Sequence, residues 1–145
     1  MKINVVLPSR GLIFAEAEQA LSDNLQGHEY KIFRSHDLVI PDGHNLLTEK
    51  ALEDNPDYVL YVEEDTVMPD GAIDDMIMAK SDIVCIDYAV NSYSCITKLK
   101  SGEILWCGLG CTLVKREVFD KLAKPYFRSD KGLLLNDWPN ITWID

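Results

Sequence analysis

The sequence lacks most of the features that mark a secreted, membrane-spanning or nucleic-acid-binding protein. Its 145 residues include four cysteines, none in a C-x-x-C pair, and three histidines, so no disulfide framework and no zinc motif is indicated. No apolar run reaches the length of a transmembrane helix. Basic residues number 14 against 24 acidic ones, and the net charge of -10 argues against nucleic acid or an anionic membrane as the main partner.

What remains is the composition of one ordinary globular domain spanning residues 1–145, with 47% hydrophobic and 26% charged residues. Met1-Lys2 leads directly into an apolar run and does not resemble a signal peptide. We therefore expect the cysteines to be reduced thiols and the compartment to be the cytoplasm.

The most informative stretch is an apolar run that ends in three adjacent acids. Residues 58–62 read Tyr-Val-Leu-Tyr-Val, which predicts a buried strand, and Glu63, Glu64 and Asp65 follow at once. Side chains two residues apart share a side of an extended segment, so Glu63 and Asp65 can converge while Glu64 turns toward solvent or a neighbouring backbone. Two interpretations are open. The carboxylates hold Mg²⁺ or Mn²⁺ with a phosphate-bearing ligand, or Asp65 caps the next turn or helix.

The rest of the pattern predicts an α/β fold. Short apolar runs at 3–7, 30–33, 58–62 and 83–86 alternate with segments of helical spacing, an order that predicts a Rossmann-like, mainly parallel sheet with helices on both faces. Residues 96–99 and 103–106 flank a Lys-Ser-Gly turn and predict a small antiparallel hairpin. In a parallel sheet, ligands bind at the carboxyl ends of the strands. The loop at Pro8-Ser9-Arg10 and the acidic run would share that edge.

Four segments, in this order along the chain, resemble nucleotide-sugar-dependent glycosyltransferases of the GT-A fold, especially small bacterial and phage-type, family 2-like members. They are the first strand with its loop (5–11), a helix start (44–52), the acidic strand with the following Pro-Asp (60–70), and a Gly-x-Gly segment with its helix (106–119). The resemblance implies a nucleotide-binding half at about 1–90 and an acceptor-side half at about 91–145.

The resemblance also implies a set of site residues. Glu63 and Asp65 would be the metal ligands for Mn²⁺ or Mg²⁺. Nucleotide-sugar contacts would come from Pro8, Ser9, Arg10, Asn45, Glu64, Gly108 and Gly110. Purely structural roles are equally open for several of these residues. Arg10 can be a solvated charge, Asn45 a helix N-cap, and the two glycines a bulge or a tight strand entry.

The chain departs from the family pattern in three ways. The acidic motif begins with Glu63 where the family usually has Asp, and His44 stands where the subgroup usually has Arg. All three histidines lie in the first third of the chain, so no C-terminal histidine can serve as a metal ligand.

The function implied is metal-dependent transfer of a sugar from a nucleotide-diphosphate donor to a saccharide or glycan acceptor. An inverting transferase needs a carboxylate as general base, and Asp137 and Asp145 are the candidates after the Gly-x-Gly segment. The last residues look as if they lead into further structure, so we also consider a shortened chain. The alternative function is then a truncated or non-catalytic nucleotide-sugar-binding domain, and an open sheet edge would favour a homo-oligomer.

Overall fold

The computed structural model describes residues 1–36, 41–90, 92–128 and 141–144. Within these ranges it contains four helices, α1 (Ala15–Asn24), α2 (Asp42–Glu53), α3 (Ala72–Met78) and α4 (Arg116–Asp120). The same ranges contain ten strands: β1 (Lys2–Ser9), β2 (Glu29–His36), β3 (Tyr58–Val62), β4 (Ile83–Ile86), β5 (Ala89–Val90), β6 (Tyr93–Ser94), β7 (Ile96–Lys98), β8 (Ile104–Cys107), β9 (Cys111–Lys115) and β10 (Ile141–Ile144). No helix in this part of the chain is long and apolar enough to cross a membrane.

Six strands form one sheet in the order β10-β4-β9-β3-β1-β2. β1 lies parallel to both β2 and β3, and β4 lies parallel to β10. β9 lies between β3 and β4 and runs antiparallel to both. Two small antiparallel pairs, β5 with β6 and β7 with β8, stand outside this sheet, and the second of them is the hairpin predicted at 96–106.

The prediction of a Rossmann-like, mainly parallel sheet is wrong. Four of the seven strand pairings in the described chain are antiparallel, so the molecule is a small α/β domain built on a mixed sheet. The error has a physical cause. A buried apolar run such as residues 111–115 shows that a strand exists but not which way it runs. Its direction depends on the hairpins before it, which return the chain to the sheet in reverse between β3 and β4.

The sheet separates two apolar cores, because successive side chains along a strand point to opposite faces. On one face Leu60 of β3 packs in a cluster with Leu21 of α1 and Ile73 of α3. On the other face Tyr61 packs in a cluster with Leu47 of α2, and α4 contributes to the same cluster. A fully buried leucine of this kind contributes about 2 kcal/mol relative to an exposed one.

The strand registers bring three chain segments to one edge of the sheet. β1 and β3 are parallel neighbours, so both end at this edge. The antiparallel β9 begins there, and Cys111 is paired with Val62. The loop after β1, the acidic residues after β3 and the Gly-x-Gly segment before β9 are therefore neighbours in space.

Candidate functional site

The three acids after β3 lie in three different environments. Glu64 is buried at 8% exposure, Glu63 is half-buried, and Asp65 is exposed. The backbone N–H of Thr66 donates to the carbonyl of Glu63 at 3.2 Å, which closes a tight turn. The turn separates the three side chains, so the adjacent carboxylates differ in burial and in their hydrogen-bond partners.

Glu64 holds the loop after β1. Its Oε2 accepts a hydrogen bond from the backbone N–H of Arg10 at 2.8 Å, and its Oε1 accepts one from Arg10 Nε at 2.5 Å. Its own carbonyl accepts from the backbone N–H of Phe14 at 3.0 Å. The hydrogen bond from the Arg10 backbone is the main reason that the pKa of Glu64 is lowered. Glu64 thus turns to a neighbouring backbone, which was one of the two orientations predicted for it, and both of its oxygens are occupied.

The loop that Glu64 holds also has internal hydrogen bonds. Ser9 Oγ donates to the carbonyl of Leu12 at 2.9 Å and accepts from the backbone N–H of Gly11 at 2.9 Å. Pro8 and Ser9 still belong to β1, paired with the last two residues of β2. The Arg10 side chain is 83% exposed, so its charge faces solvent beside the acidic turn.

Glu63 and Asp65 are the two acids of the turn to which Arg10 donates no hydrogen bond in the described structure. Burial raises the pKa of Glu63, and the negative charges of Asp65 and Glu64 raise it further. The charge of Asp65 also acts on Arg10, whose pKa is raised chiefly by its hydrogen bond to Glu64. No ion pair within the described residues includes Glu63 or Asp65. Two carboxylates without an ion pair in these ranges therefore lie in the same turn as Glu64, whose partner is the exposed Arg10.

The pair falls short of a complete metal site made of protein groups alone. In the described part of the chain, no group of three or more His, Cys, Asp and Glu side chains is arranged to hold a metal ion. Carboxylate oxygens are nevertheless the ligands that Mg²⁺ and Mn²⁺ prefer, and Mg²⁺ usually keeps several waters and substrate phosphates among its ligands. The donor set fits such an ion only if a ligand supplies the remaining oxygens.

The side chain of Tyr88 packs so closely on Gly108 and Gly110 that neither position has room for a Cβ. A Cβ added at Gly110 would lie 2.5 Å from the hydroxyl oxygen of Tyr88, and one added at Gly108 would overlap the same hydroxyl. The backbone N–H of Gly110 donates to the Tyr88 hydroxyl at 2.9 Å, and its carbonyl accepts from the backbone N–H of Glu63 at 3.2 Å. Tyr88 therefore approaches the backbone of both glycines closely, and a nucleotide-sugar contact there stays a prediction.

Sequence reasoning missed Tyr88. It follows β4 by two residues, and no motif marks it. Burial raises its pKa, and the neighbouring charge of Glu63 raises it further. The only signal was indirect, since two glycines separated by one residue imply a bulky group against that stretch of backbone without identifying it.

Asn45 has a structural partner and is not a helix N-cap. α2 begins at Asp42 after the N-cap Pro41, so Asn45 lies inside the first turns of the helix. Its amide donates to the carbonyl of Phe127 at 2.8 Å and accepts from the Phe127 N–H at 2.9 Å. The cap prediction is wrong because the N-cap of the helix is Pro41, four residues before Asn45.

His44 is buried at 4% exposure next to Asn45 and stacks on Tyr61, with ring centroids 6.3 Å apart. Burial lowers its pKa, so the side chain is a neutral core residue and does not replace the positive charge of an arginine.

The predicted general bases lie outside the described residues. Asp137 falls within 129–140, and Asp145 follows the last described residue.

Two grooves of the described chain lie away from the acidic turn. One of about 530 Å³ runs between α1 and β2, and one of about 410 Å³ lies at the amino ends of β1 and β3. Neither is lined by Arg10, Glu63 or Asp65, so the candidate site is an open edge of the sheet and not one of these grooves.

Comparison with known proteins adds a likeness in fold. No family model matches the chain, and no curated protein matches it. Among solved structures, the fold is similar to that in the crystal structure of A197 from STIV, with a TM-score of 0.66 and 22% sequence identity. The match covers 89% of this chain and 72% of that one. At this level of identity the likeness concerns the fold alone.

Proposed function

We propose that this chain is a metal-dependent glycosyltransferase that moves a sugar from a nucleotide-diphosphate donor to a saccharide or glycan acceptor. One observation carries the proposal. Glu64 ties the loop after β1 to the acidic turn by binding Arg10, and Glu63 and Asp65 form no ion pair within the described residues. A bound divalent ion with a diphosphate would balance that charge.

The residues of the acidic turn and Arg10 have different roles in the proposed reaction. Asp65 and Glu63 hold a Mn²⁺ or Mg²⁺ ion, which when bound supplies a Lewis acid for departure of the diphosphate. Arg10 presents a permanent positive charge to the anionic donor. Glu64 does not touch the donor, because both of its oxygens bind Arg10, and it instead fixes the loop that does.

The polypeptide groups around this edge orient the donor. Pro8 and Ser9 present backbone groups at the end of β1, where base and ribose would lie. Tyr88 and Gly110 hold the backbone that faces the acidic turn. The general base stays assigned by prediction to Asp137 or Asp145. The expected compartment is the cytoplasm, with which four free thiols agree.

The first test is binding of UDP or GDP in the presence of Mn²⁺, measured by calorimetry on the parent and on Asp65→Asn. Loss of even an outer-shell partner of a metal typically weakens metal affinity 10- to 100-fold, so loss of a ligand should weaken binding at least about 10-fold. Asp70→Asn is the matched control, since Asp70 is an exposed acid in the same segment and should leave affinity unchanged. Equal affinity of the parent and Asp65→Asn would refute the metal assignment.

The second test separates transfer from binding. A screen of sugar nucleotides with Mn²⁺ and saccharide acceptors should release free nucleotide with the parent and not with Asp65→Asn. Tight Mn²⁺-dependent binding of nucleotide sugars without nucleotide release, over the whole screen, would instead identify a binding domain without turnover.

A further inference from the structure

The two edge strands of the six-stranded sheet differ in length. β10 at one edge has four residues, whereas β2 at the other edge has eight. Among the described residues β2 pairs only with β1, and this parallel register runs unbroken from Glu29 to His36. Within the described chain, the outer side of β2 therefore presents a row of backbone N–H and C=O groups that can accept a further strand.

β2 lacks the devices that usually prevent pairing at such an edge. It contains no proline, and its unbroken register leaves no bulge. Edge lysines and arginines deter pairing by bringing charge to the edge, but here an acid compensates each of them. Lys31 Nζ lies 2.5 Å from Asp54 Oδ1, and Arg34 lies 3.2 Å from Glu18 Oε1.

A groove of about 530 Å³ runs along β2 on the face that carries α1. One side of it is lined by alternate residues of β2, Tyr30, Ile32 and Arg34, and the other side is lined by residues of α1. The Tyr30 residue is 43% exposed. Because side chains alternate along a strand, an added strand would place every second side chain at this groove, opposite these three residues.

The sequence of β2 is complementary to itself in one antiparallel register. In a symmetric antiparallel pair of identical strands the twofold axis passes through a residue, because directly opposite side chains lie on the same face. An axis at Lys31 or at Arg34 would set two like charges directly opposite each other, and an axis at Phe33 would set an arginine opposite Ile32. An axis at Ile32 sets Ile32 opposite itself and Tyr30 opposite Arg34 on both sides of the axis. A guanidinium stacks well on an aromatic ring, so this register is the favoured one.

We propose that the outer edge of β2 is the interface of a homodimer, in which β2 of a second copy of this chain pairs antiparallel about a twofold axis at Ile32. The six-stranded sheets of the two copies then form one continuous sheet. A single strand-to-strand contact is narrow beside a standard interface of about 800 Å² per partner, so the association depends on protein concentration. It is independent of the transferase activity proposed above, because the acidic turn follows β3, which is separated from β2 by β1.

The dimer is tested by sedimentation velocity of the parent over a range of concentrations. We expect a monomer–dimer equilibrium whose dissociation constant Tyr30→Arg raises at least about 10-fold, because two favourable pairs become two pairs of like charge. Tyr93→Arg is the matched control, since Tyr93 is 78% exposed outside the six-stranded sheet and should leave the equilibrium unchanged. A parent that is monomeric at every concentration would leave the edge to a different polypeptide and overturn the proposal, as would equal dissociation constants for the parent and Tyr30→Arg.

The register is tested by disulfide trapping. In Ile32→Cys the two new cysteines lie directly opposite each other, with Cα atoms about 4.5–5.5 Å apart, which is within the range that a disulfide spans. We expect this variant to form an intermolecular disulfide under mild oxidation and to lose it in dithiothreitol.

Phe33→Cys is the matched control for the trapping experiment. With the axis at Ile32, the two copies of residue 33 lie diagonally across the pair at about 7–8 Å between Cα atoms, too far apart for a disulfide. The parent with its four free cysteines should stay without an intermolecular linkage under the same oxidation. A crosslink in Phe33→Cys and none in Ile32→Cys would overturn the assigned register, and a parent dimer that neither variant traps would overturn the assignment of the interface to β2.

Discussion

The acidic residues at the amino ends of β1 and β3 differ in their ion pairs from those at the carboxyl ends of the same strands. At the amino end, Asp54 binds Lys2 Nζ at 3.0 Å and Lys31 Nζ at 2.5 Å. These two lysines, Lys31 first, lower the pKa of Asp54 to about 2. Asp57 accepts a hydrogen bond from the backbone N–H of Lys2 at 2.8 Å.

At the carboxyl end, one of the three acids after β3 forms an ion pair within the described residues. Glu64 is bound to Arg10 and its pKa is lowered, whereas the pKa of Glu63 is raised by burial and by its neighbours. This difference in ion pairing arises within the same two strands and in the same solvent, so it comes from the side chains that surround each end. At the amino end two lysines compensate the charge of Asp54, whereas at the carboxyl end Glu63 and Asp65 form no ion pair within the described residues.

The largest expected effect is that of Glu64→Ala, which removes both hydrogen bonds to Arg10 and releases the loop after β1. We expect the free energy of unfolding to fall by about 1–2 kcal/mol, since the exposed guanidinium regains water while the charge-assisted bonds are lost. Urea unfolding at pH 7 measures the change.

The control for Glu64→Ala is Glu18→Ala. It breaks a second Arg–Glu pair, Arg34 with Glu18, whose side chains are 39% and 54% exposed. An exposed pair of this kind contributes about 0.5 kcal/mol or less. Equal losses in the two variants would show that Glu64 does no more than an ordinary surface ion pair.

A smaller effect is expected at the amino end for Asp54→Asn, and it should depend on pH. The pKa of Asp54 is about 2 in the folded chain, below the ordinary value of 3.8, so its charged form is favoured by folding. That contribution is present above about pH 4 and is lost as the pH falls through about 2. The Tm of the variant should lie below that of the parent at pH 7, and the difference should vanish near pH 2.

Asp70→Asn is the comparison for this acid titration, because Asp70 is exposed and shares no ion pair within the described residues. A difference between the parent and Asp54→Asn that stays constant from pH 7 to pH 2 would show that the lysines do not stabilise the Asp54 carboxylate.

The smallest expected effect is that of Glu63→Gln, which should stabilise the fold and not destabilise it. Glu63→Gln removes a half-buried negative charge that is repelled by Asp65 and Glu64, so without divalent ions it should raise the free energy of unfolding at pH 7 by about 0.5 kcal/mol. Urea unfolding with and without Mn²⁺ tests this, since added Mn²⁺ should stabilise the parent more than the variant. A loss of stability in metal-free buffer would mean that Glu63 has a stabilising partner.

Sequence patterns predicted the individual elements well, because each depends on local spacing. The apolar runs at 3–7, 58–62 and 83–86 and the hairpin around the Lys-Ser-Gly turn are all visible within a few residues. The sequence also predicted that the Arg10 loop lies beside the acidic turn, because this requires only that β1 and β3 are parallel neighbours.

The patterns did not reveal which groups satisfy one another across the fold. Glu64 was placed with the ligand-binding residues, yet its oxygens bind Arg10. Asn45 was a predicted cap, yet its amide pairs with the backbone of Phe127, 82 positions later in the chain. Such partners depend on long-range packing, which the identity of a residue does not encode.

The amino-acid sequence by itself determined the strands, the helices and the excess of acid after β3, because hydrophobic period and charge are properties of short segments. Tertiary structure decided that β9 enters the sheet in reverse, that Tyr88 fills the space over the two glycines, and that Arg10 pairs with Glu64. These outcomes depend on which surfaces meet when the chain closes on itself, and the same segments would read identically in a sheet of another topology.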